Sequence, residues 1–312
     1  MVPDITCVLV HWYCTSELKA CLLSLVPAWE NCRMRIVLVN NGSAEPLEDI
    51  LPEGLPVELL QPGSNLGFGP ASNLGAEQAR GRYLLFLNPD VIVLPGSIEL
   101  MREWMNRNPQ AAGVGAMLLC PSGKPQYGFM ARRFPSLSQV LADSFFLDKI
   151  PFHRFYRHGY GEGQLDLNHP TPVDQPAGAC LMIRRDWFLR AGGFDPRFYP
   201  AWYEDVDLCF RMSRSGARFY FLPFSVFQHL GGSSMRTLPW PEFMQIYYRN
   251  QLLFFKKHFS WRYAVLVKTG LFLGIALRFL LLPASFPKGA ASRITAARGF
   301  LMAARSLLRL SK

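Results

Sequence analysis

The chain has no CxxC pair and an odd number of cysteines, seven in all. That combination supplies neither a disulfide framework nor a zinc-ligand pattern, which excludes cystine scaffolds and zinc modules. The opening residues, MVPDITCVLV, carry no basic start and no small-residue cleavage site. A secretory leader is therefore not expected, and a reducing, cytoplasmic location is. Acidic residues are missing from one region: from Lys256 to Lys312 there are eleven Lys or Arg and no Asp or Glu. Of 33 basic and 23 acidic residues overall, the part before Lys256 holds nearly equal numbers of each. The basicity belongs to a tail and not to the main body.

What is present is a βα alternation. Ile5–His11 reads as a buried first strand, followed by a helix from a Ser16 cap to about Leu25, with Leu18, Cys21, Leu22 and Leu25 as its apolar stripe. Arg35–Val39 is a second strand closed by Asn40-Asn41-Gly42-Ser43, and Val57–Leu60 a third, followed by a glycine-rich loop over 63–69. Pro70 suits the first turn of a helix to about Ala79. A fourth strand, Tyr83–Leu87, stops at Asn88-Pro89-Asp90, because proline cannot donate to a ladder and biases the preceding residue to an extended shape. Such alternation predicts a mainly parallel sheet with helices on both faces. It places three polar loops on the edge that carries Asp90, where open α/β sheets bind ligands. Standing alone, Asn88-Pro89-Asp90 would more simply be a turn between two core strands.

Further on, a helix over Ser97–Arg107 and a strand over Ala112–Leu119 are expected. Residues 120–172 have poor periodicity apart from one short helix near Leu137–Leu147, and suggest irregular, acceptor-side excursions. Then come a strand over Gly178–Arg184, a short helix Asp186–Ala191, a helix opening at Trp202–Asp207, strand-like runs Arg218–Leu222 and Ser225–His229, and an aromatic-rich helix over Glu242–Phe259. Ala264–Leu282 is apolar except for Lys268, Thr269 and Arg278, with the two charges about 80° apart on a helix. An amphipathic helix lying in a membrane interface suits it better than a bilayer span, though its length nearly permits a single C-terminal span. Over Ala290–Leu310, Arg298, Arg305 and Arg309 share a narrow arc, with Phe300, Leu307 and Leu310 on the other side. The neighbouring apolar run makes an anionic membrane surface a better partner for this charge than nucleic acid.

Asp90, Asp205 and His229 each end or follow a strand-like run beside a turn former. A carboxylate with an imidazole suits a divalent ion that bridges a substrate diphosphate, and Mn²⁺ tolerates nitrogen better than Mg²⁺ does. Glu204-Asp205-Val206-Asp207 puts three carboxylates at a helix start, which plain dipole complementation could also explain.

The motifs VHWY (10–13), NNGS (40–43), NLGFGPASNLG (65–75), LLFLNPD (84–90), GACLMIRRDWFLRAGGFD (178–195), YEDVDLCFR (203–211) and QHLGGSS (228–234) resemble, in order and spacing, family 2 glycosyltransferases, nearest their bacterial rhamnosyltransferase-like branch. The resemblance covers about residues 5 to 258. It implies a GT-A fold, Rossmann-like, with a catalytic domain over 1–258, while the basic, apolar sequence beyond it gives a helical membrane-associating region over 259–312. It implies an inverting, metal-dependent transfer of a sugar such as rhamnose from a nucleotide-diphosphate donor. The acceptor would be a hydroxyl of a lipid-linked or cell-surface polysaccharide precursor, with the protein peripheral on the inner face of the plasma membrane. Asp205 matches the general base, and Asp90 and His229 match metal ligands for Mn²⁺ or Mg²⁺. His11, Tyr13, Asn40, Asn41, Gly42, Ser43, Asn65, Gly67, Asn88 and Asp90 fall at donor-binding positions, and Trp202 and Glu204 on the acceptor side. Asn40 stands where the family usually has a nucleobase-contacting Asp. A non-catalytic nucleotide-sugar or membrane-binding homologue is the alternative. A sugar-phosphate nucleotidyltransferase would need a glycine-rich loop with a basic residue after the first strand, where HWYCTSE stands instead.

Overall fold

The computed structural model describes residues 4–32, 34–147, 159–231, 238–282 and 290–310. Residues 148–158, within the segment expected to be irregular, and residues 232–234 of the QHLGGSS motif lie outside the described residues. The chain divides into two compact units. One is built from Met1–Phe134, Gly159–Pro200 and Glu204–Thr237, the other from Pro135–His158, Ala201–Tyr203 and Leu238–Lys312.

The first unit is a mixed, mainly parallel sheet with helices on both faces. Its first half contains β1 (Ile5–His11), α1 (Thr15–Asn31), β2 (Met34–Asn40), β3 (Val57–Leu60), α2 (Phe68–Glu77), β4 (Tyr83–Leu87), β5 (Val91–Val93), α3 (Ser97–Arg107) and β6 (Ala111–Leu119). β7 (Ala131–Arg132), β8 (Thr171–Val173), β9 (Gln175–Pro176), β10 (Cys180–Arg184), α5 (Arg185–Arg190), α6 (Glu204–Arg214) and β11 (Arg218–His229) complete it. The nine-stranded sheet has the order β3-β2-β1-β4-β10-β6-β11-β5, with β8 added on β11, and β7 pairs separately with β9. β1 pairs in parallel with β2 and β4, and β2 with β3, so four strand ends fall on one edge. β10 runs antiparallel to both β4 and β6, and β11 is parallel to β6. β11 therefore ends on that same edge, and His229 joins Asp90 there.

β1 is buried at every position, as a strand covered on both faces should be. The Cys21 thiol of α1 lies beside Cys7 on one face, and Gly75 of α2 packs where a Cβ would meet Val8 on the other. Phe86, in register with Val8, packs at right angles to Phe194 with centroids 4.9 Å apart. The first helix runs past its expected end at Leu25, through Pro27 to Asn31. The carbonyl that Pro27 leaves without its usual partner belongs to Leu23, which faces solvent, so the missing bond costs little there. The runs expected at Arg218–Leu222 and Ser225–His229 form one strand, with its pairing register shifted between Leu222 and Val226.

The second unit is helical: α4 (Leu137–Ser144), α7 (Trp240–His258), α8 (Trp261–Leu280) and α9 (Ala290–Arg309). α4 starts with a Ser136–Gln139 capping box. Among the described residues, α8 is the one helix long and apolar enough to cross a membrane by length and composition.

Arg278 is drawn into packing within the second unit. It faces α4, where its guanidinium donates to the carbonyls of Ser144 (2.6 Å) and Asp143 and lies over the Phe146 ring at 4.5 Å. It thus satisfies the C-terminal carbonyls of α4, a favourable place for a cation. On α9, Arg298, Arg305 and Arg309 are exposed, with Phe300 and Leu307 on the other side, as the spacing implied. Both are buried, Phe300 packing edge-on against Trp240 at 5.5 Å.

Candidate active site

At the ends of β1 and β2 the polar loops are tied to one another. Asn40 closes its own turn, donating from Nδ2 to Ser43 O and accepting from Ser43 N, both at 3.1 Å. The Asn41 side chain accepts from Leu66 N at 2.8 Å and donates to Asn65 Oδ1 at 3.0 Å, and Asn65 Oδ1 also accepts from Gly67 N at 2.8 Å. Gly42 permits this approach: its φ is +80°, and a Cβ there would lie 2.4 Å from Asn65 N. Gly67, at φ +86°, likewise meets the Tyr199 ring, and Phe68 N donates to Pro200 O at 2.7 Å. His11 is fully buried, its Nδ1 3.6 Å from the Cys14 thiol and its Nε2 3.2 Å from Glu45 Oε2, without hydrogen-bond alignment to the latter. Burial lowers the His11 pKa, although Glu45 opposes the shift, so the ring is held neutral. Tyr13 stands out of this cluster, 45% exposed with φ +50°.

At the end of β4, Asn88-Pro89-Asp90 is indeed a turn, closed by Val91 N donating to Asn88 O at 3.2 Å. The turn is also what aims Asp90. β5 leaves it antiparallel to β11, pairing Val91 with His229, and Leu230 N donates to Asp90 O at 3.0 Å. Asp90 and His229 are each only 4% exposed, and Asp90 Oδ1 lies 3.5 Å from His229 Nε2, beyond hydrogen-bond length. Nε2 is buried without a hydrogen-bond partner. The other ring nitrogen is fixed by Gln126, whose Oε1 lies 2.8 Å from Nδ1 while its Nε2 donates to His229 O at 2.8 Å. A carbonyl can only accept, so the amide NH₂ must face His229 O and Oε1 must face Nδ1. In the neutral ring Nδ1 then carries the proton, and Nε2 keeps its lone pair towards Asp90. Phe129 stacks on the imidazole at 5.0 Å, and the Arg132 guanidinium lies 5.0 Å from the Phe129 ring.

This pair fits a divalent ion. An unpartnered imidazole nitrogen faces a carboxylate, and the second nitrogen has the supporting partner that metal-bound histidines usually have. No cluster of three or more candidate ligands occurs among the described residues. An ion here would therefore take its remaining ligands from substrate phosphates and water, as Mg²⁺-type sites commonly do.

The three acids that open α6 are in different environments. Asp207 is buried and paired with Arg211 at 2.8 Å, and Arg211 in turn holds the carbonyls of Ala191 and Gly193. Asp205 Oδ2 accepts from Gln175 Nε2 at 2.8 Å and Gly178 N at 3.2 Å. A Cβ on Gly178 would sit 3.1 Å from that oxygen. The next residue, Ala179, accepts from Asn88 N at 2.9 Å, so Asp205 is two short links from the Asp90 turn. Glu204 is 7% exposed and its Oε2 has no hydrogen-bond partner. Burial, then the neighbouring Asp205, pushes its pKa well above the ordinary carboxyl range, against the opposing charge of Arg132.

Trp202 belongs to the second unit. There Asn250 Nδ2 donates to Ala201 O (2.9 Å) and Trp202 O (3.0 Å), and the indole packs edge-on against Phe243 at 4.8 Å. Trp202 and Tyr203 have φ of +70° and +72°, a conformation costing bulky residues roughly 1–3 kcal/mol each and kept only where surroundings enforce it. Gln126, Gln175, Gly178 and Arg132 were not identifiable as site residues from sequence. No local pattern marks a glutamine that supports a residue a hundred positions away.

The glycosyl transferase family 2 model matches residues 7–189, more than half of the chain. The chain belongs to that family. Within glycosyl transferase family 2 it is similar to the N-acetylglucosaminyl-diphospho-decaprenol L-rhamnosyltransferase of Mycobacterium tuberculosis, 32% identical over 224 residues, covering 66% of this chain and 69% of the relative. It is also similar to the rhamnosyltransferase WbbL of Escherichia coli, 27% identical over 200 residues, covering 61% and 70%. Among solved structures, the mannosyltransferase PcManGT from Pyrobaculum calidifontis in complex with GDP-Man and Mn²⁺ overlays with a TM-score of 0.59. Its identity is 11%, and the match covers 100% of this chain and 89% of that one. GalNAc-T7 with UDP, GalNAc and Mn²⁺ overlays at 0.54 with 16% identity, covering 73% of this chain and 43% of the other. These two likenesses bear on the fold, which is GT-A-like. The chain is a rhamnosyltransferase-like family 2 glycosyltransferase.

Proposed function

We propose that this glycosyltransferase moves a sugar such as rhamnose, with inversion, from a nucleoside-diphosphate donor to a hydroxyl of a lipid-linked or surface-polysaccharide precursor at the cytoplasmic membrane surface. One observation carries it: the buried, unpartnered His229 Nε2 facing Asp90 at 3.5 Å, on the sheet edge that also bears the tied loops. The loops at Asn40–Ser43 and Asn65–Gly67 form a fixed wall for the nucleoside, with exposed Tyr13 offering a ring to the base and Asn88 orienting the turn. A divalent ion held by Asp90 and His229 would supply Lewis-acid stabilisation of the departing diphosphate. Asp205, held by Gln175 and Gly178, takes the proton of the acceptor hydroxyl. That oxygen then bonds to the anomeric carbon as the bond from carbon to diphosphate oxygen breaks, releasing a nucleoside diphosphate. Glu204 is the neutral carboxyl beside Asp205 and can donate a hydrogen bond to the acceptor. Trp202 is assigned to the acceptor side on its sequence position. The lipid-linked acceptor draws support from the decaprenol-linked substrate named for the mycobacterial relative and from the basic, apolar tail.

The test is transfer or hydrolysis by the full chain with Mn²⁺ across a panel of nucleotide sugars, with product stereochemistry read by NMR. Turnover of one donor with inversion is expected, and Asp205→Asn should lower kcat roughly 10²–10⁴-fold. A panel with no turnover, or an Asp205→Asn enzyme as fast as the wild type, would refute it.

A further inference from the structure

α8 packs on α4 through one face, and that face includes its internal arginine. Gly270 lies where a Cβ would meet Leu141, Gly274 where it would meet Ser144, and Arg278 closes the end of α4. Val267, Leu271 and Ile275 are buried on the same side. The opposite face is exposed and mainly apolar, with Trp261 (72% exposed), Val265, Leu266, Leu273 and Leu280 (78%), interrupted by exposed Arg262 near its start and Thr269 at its middle. At 100° per residue the five apolar residues fall within an arc of about 140°. A 20-residue helix is about 30 Å long, so the strip is long enough to be an extended contact surface.

α9 carries a second strip of a different kind. Phe300, Ala303 and Leu307 are buried, and Ser306 donates to Gln245 O on α7 at 3.3 Å. Outward stand Ile294, Leu301 and Leu308 in one line, a residue seven positions on returning to nearly the same angle. Arg298, Arg305 and Arg309 are also exposed and form a parallel line within roughly 100° of it. Aliphatic side chains therefore run beside arginines on the free side of the helix. No acidic residue occurs anywhere from Lys256 onward to answer that charge.

We infer that α8 and α9 form an in-plane anchor on an anionic bilayer, with α8 lying along the interface and not spanning it. This rests on the membrane association proposed above and settles its mode. A span would surround α8 with lipid on every side, which would strip Arg278 from the α4 carbonyls and expose it to hydrocarbon. A helix lying flat keeps that capping contact on its packed side and sinks only the Trp261–Leu280 strip among the acyl chains. The α9 arginines then reach the headgroup phosphates, and the adjacent aliphatic line enters between them. Charge complementarity selects an anionic lipid surface over a neutral one or a second copy of this basic tail, which would repel it.

The test floats the full chain with vesicles of phosphatidylcholine alone or mixed with phosphatidylglycerol, before and after alkaline carbonate. Expected are flotation that depends on phosphatidylglycerol, release by carbonate, and roughly 100-fold weaker partitioning when Arg298, Arg305 and Arg309 are all changed to Gln. Leu266→Ser with Leu273→Ser should also weaken it. All five positions are exposed, so these variants should fold, and transfer to a short soluble acceptor should stay at the wild-type rate. Flotation that survives carbonate and ignores the arginines would mean a spanning helix, overturning the in-plane anchor while membrane association stands. Absence of flotation with either vesicle overturns both, while transfer to the soluble acceptor separately reports on the glycosyltransferase activity.

Discussion

Around Asp90 and α6, the His229 Nε2 and Glu204 Oε2 atoms are buried with no hydrogen-bond partner, whereas at the ends of β1 and β2 the Asn40 amide closes its own turn and those of Asn41 and Asn65 tie two loops together. Both regions lie on one edge of one sheet, and both are built from polar residues following strands. The difference is in what is left over. Leaving a buried polar atom unsatisfied costs roughly 1–3 kcal/mol, so the first region is held in a form that suits a group it binds. In the second the loop amides satisfy one another, with His11 Nε2 beside Glu45 as the exception, and those loops serve as rigid support. Changes in the first should alter chemistry with little loss of stability, and changes in the second should do the reverse.

The largest effect should follow His229→Ala. Transfer should fall at least 100-fold with a Tm loss of at most a few degrees, since the ring takes the unsatisfied Nε2 with it but strands Gln126 Oε1 and leaves a gap beside Phe129. A Tm drop of many degrees with near-normal kcat would make His229 a structural residue and erase the contrast. Next comes Asn41→Ala, which strands Leu66 N and removes one of the two donors to Asn65 Oδ1, and should cost roughly 1–3 kcal/mol, lowering Tm by several degrees. Donor KM should rise while kcat is largely kept. A collapse of kcat at unchanged Tm would show that the asparagine contacts reacting groups.

Glu204→Gln should have the smallest effect, and it depends on pH. The folded Glu204 pKa is raised above its ordinary 4.5, so the folded state holds a proton that the unfolded chain releases above that value. Its contribution is fully present below about pH 4.5 and is lost as pH rises towards the folded pKa. Glutamine lacks this dependence. The variant should match the wild type near pH 4 and gain in relative Tm as pH rises through neutrality. A constant difference across the range would mean that Glu204 is ionised in the folded protein.

The strands of the first unit and the loops at their ends were legible in the sequence, because a short apolar, β-branched run and a turn residue such as Gly42 or Pro89 act locally. Asp90 and His229 were legible as candidates because each ends a strand. Their supports were not. Gln126 reaches His229 from the segment expected to be irregular, which instead turns back tightly at Cys120–Lys124 and returns Gln126 to β6. The strained Trp202-Tyr203 pair is set by Asn250, nearly fifty residues later. The tail shows the same limit. Its composition gave the charge and the apolar length, but only packing shows that Arg278 faces α4 and that Phe300 and Leu307 face inward. In each case a long-range contact decides which side of a residue is free.

Calorimetric titration of Mn²⁺ into the protein with a nucleoside diphosphate present tests the central claim most directly. Wild type should bind one equivalent. Asp90→Asn and His229→Ala should abolish measurable binding, and Gln126→Leu, which removes only the partner of Nδ1, should weaken it by about 10–100-fold. Unchanged Mn²⁺ affinity in Asp90→Asn and His229→Ala would contradict it.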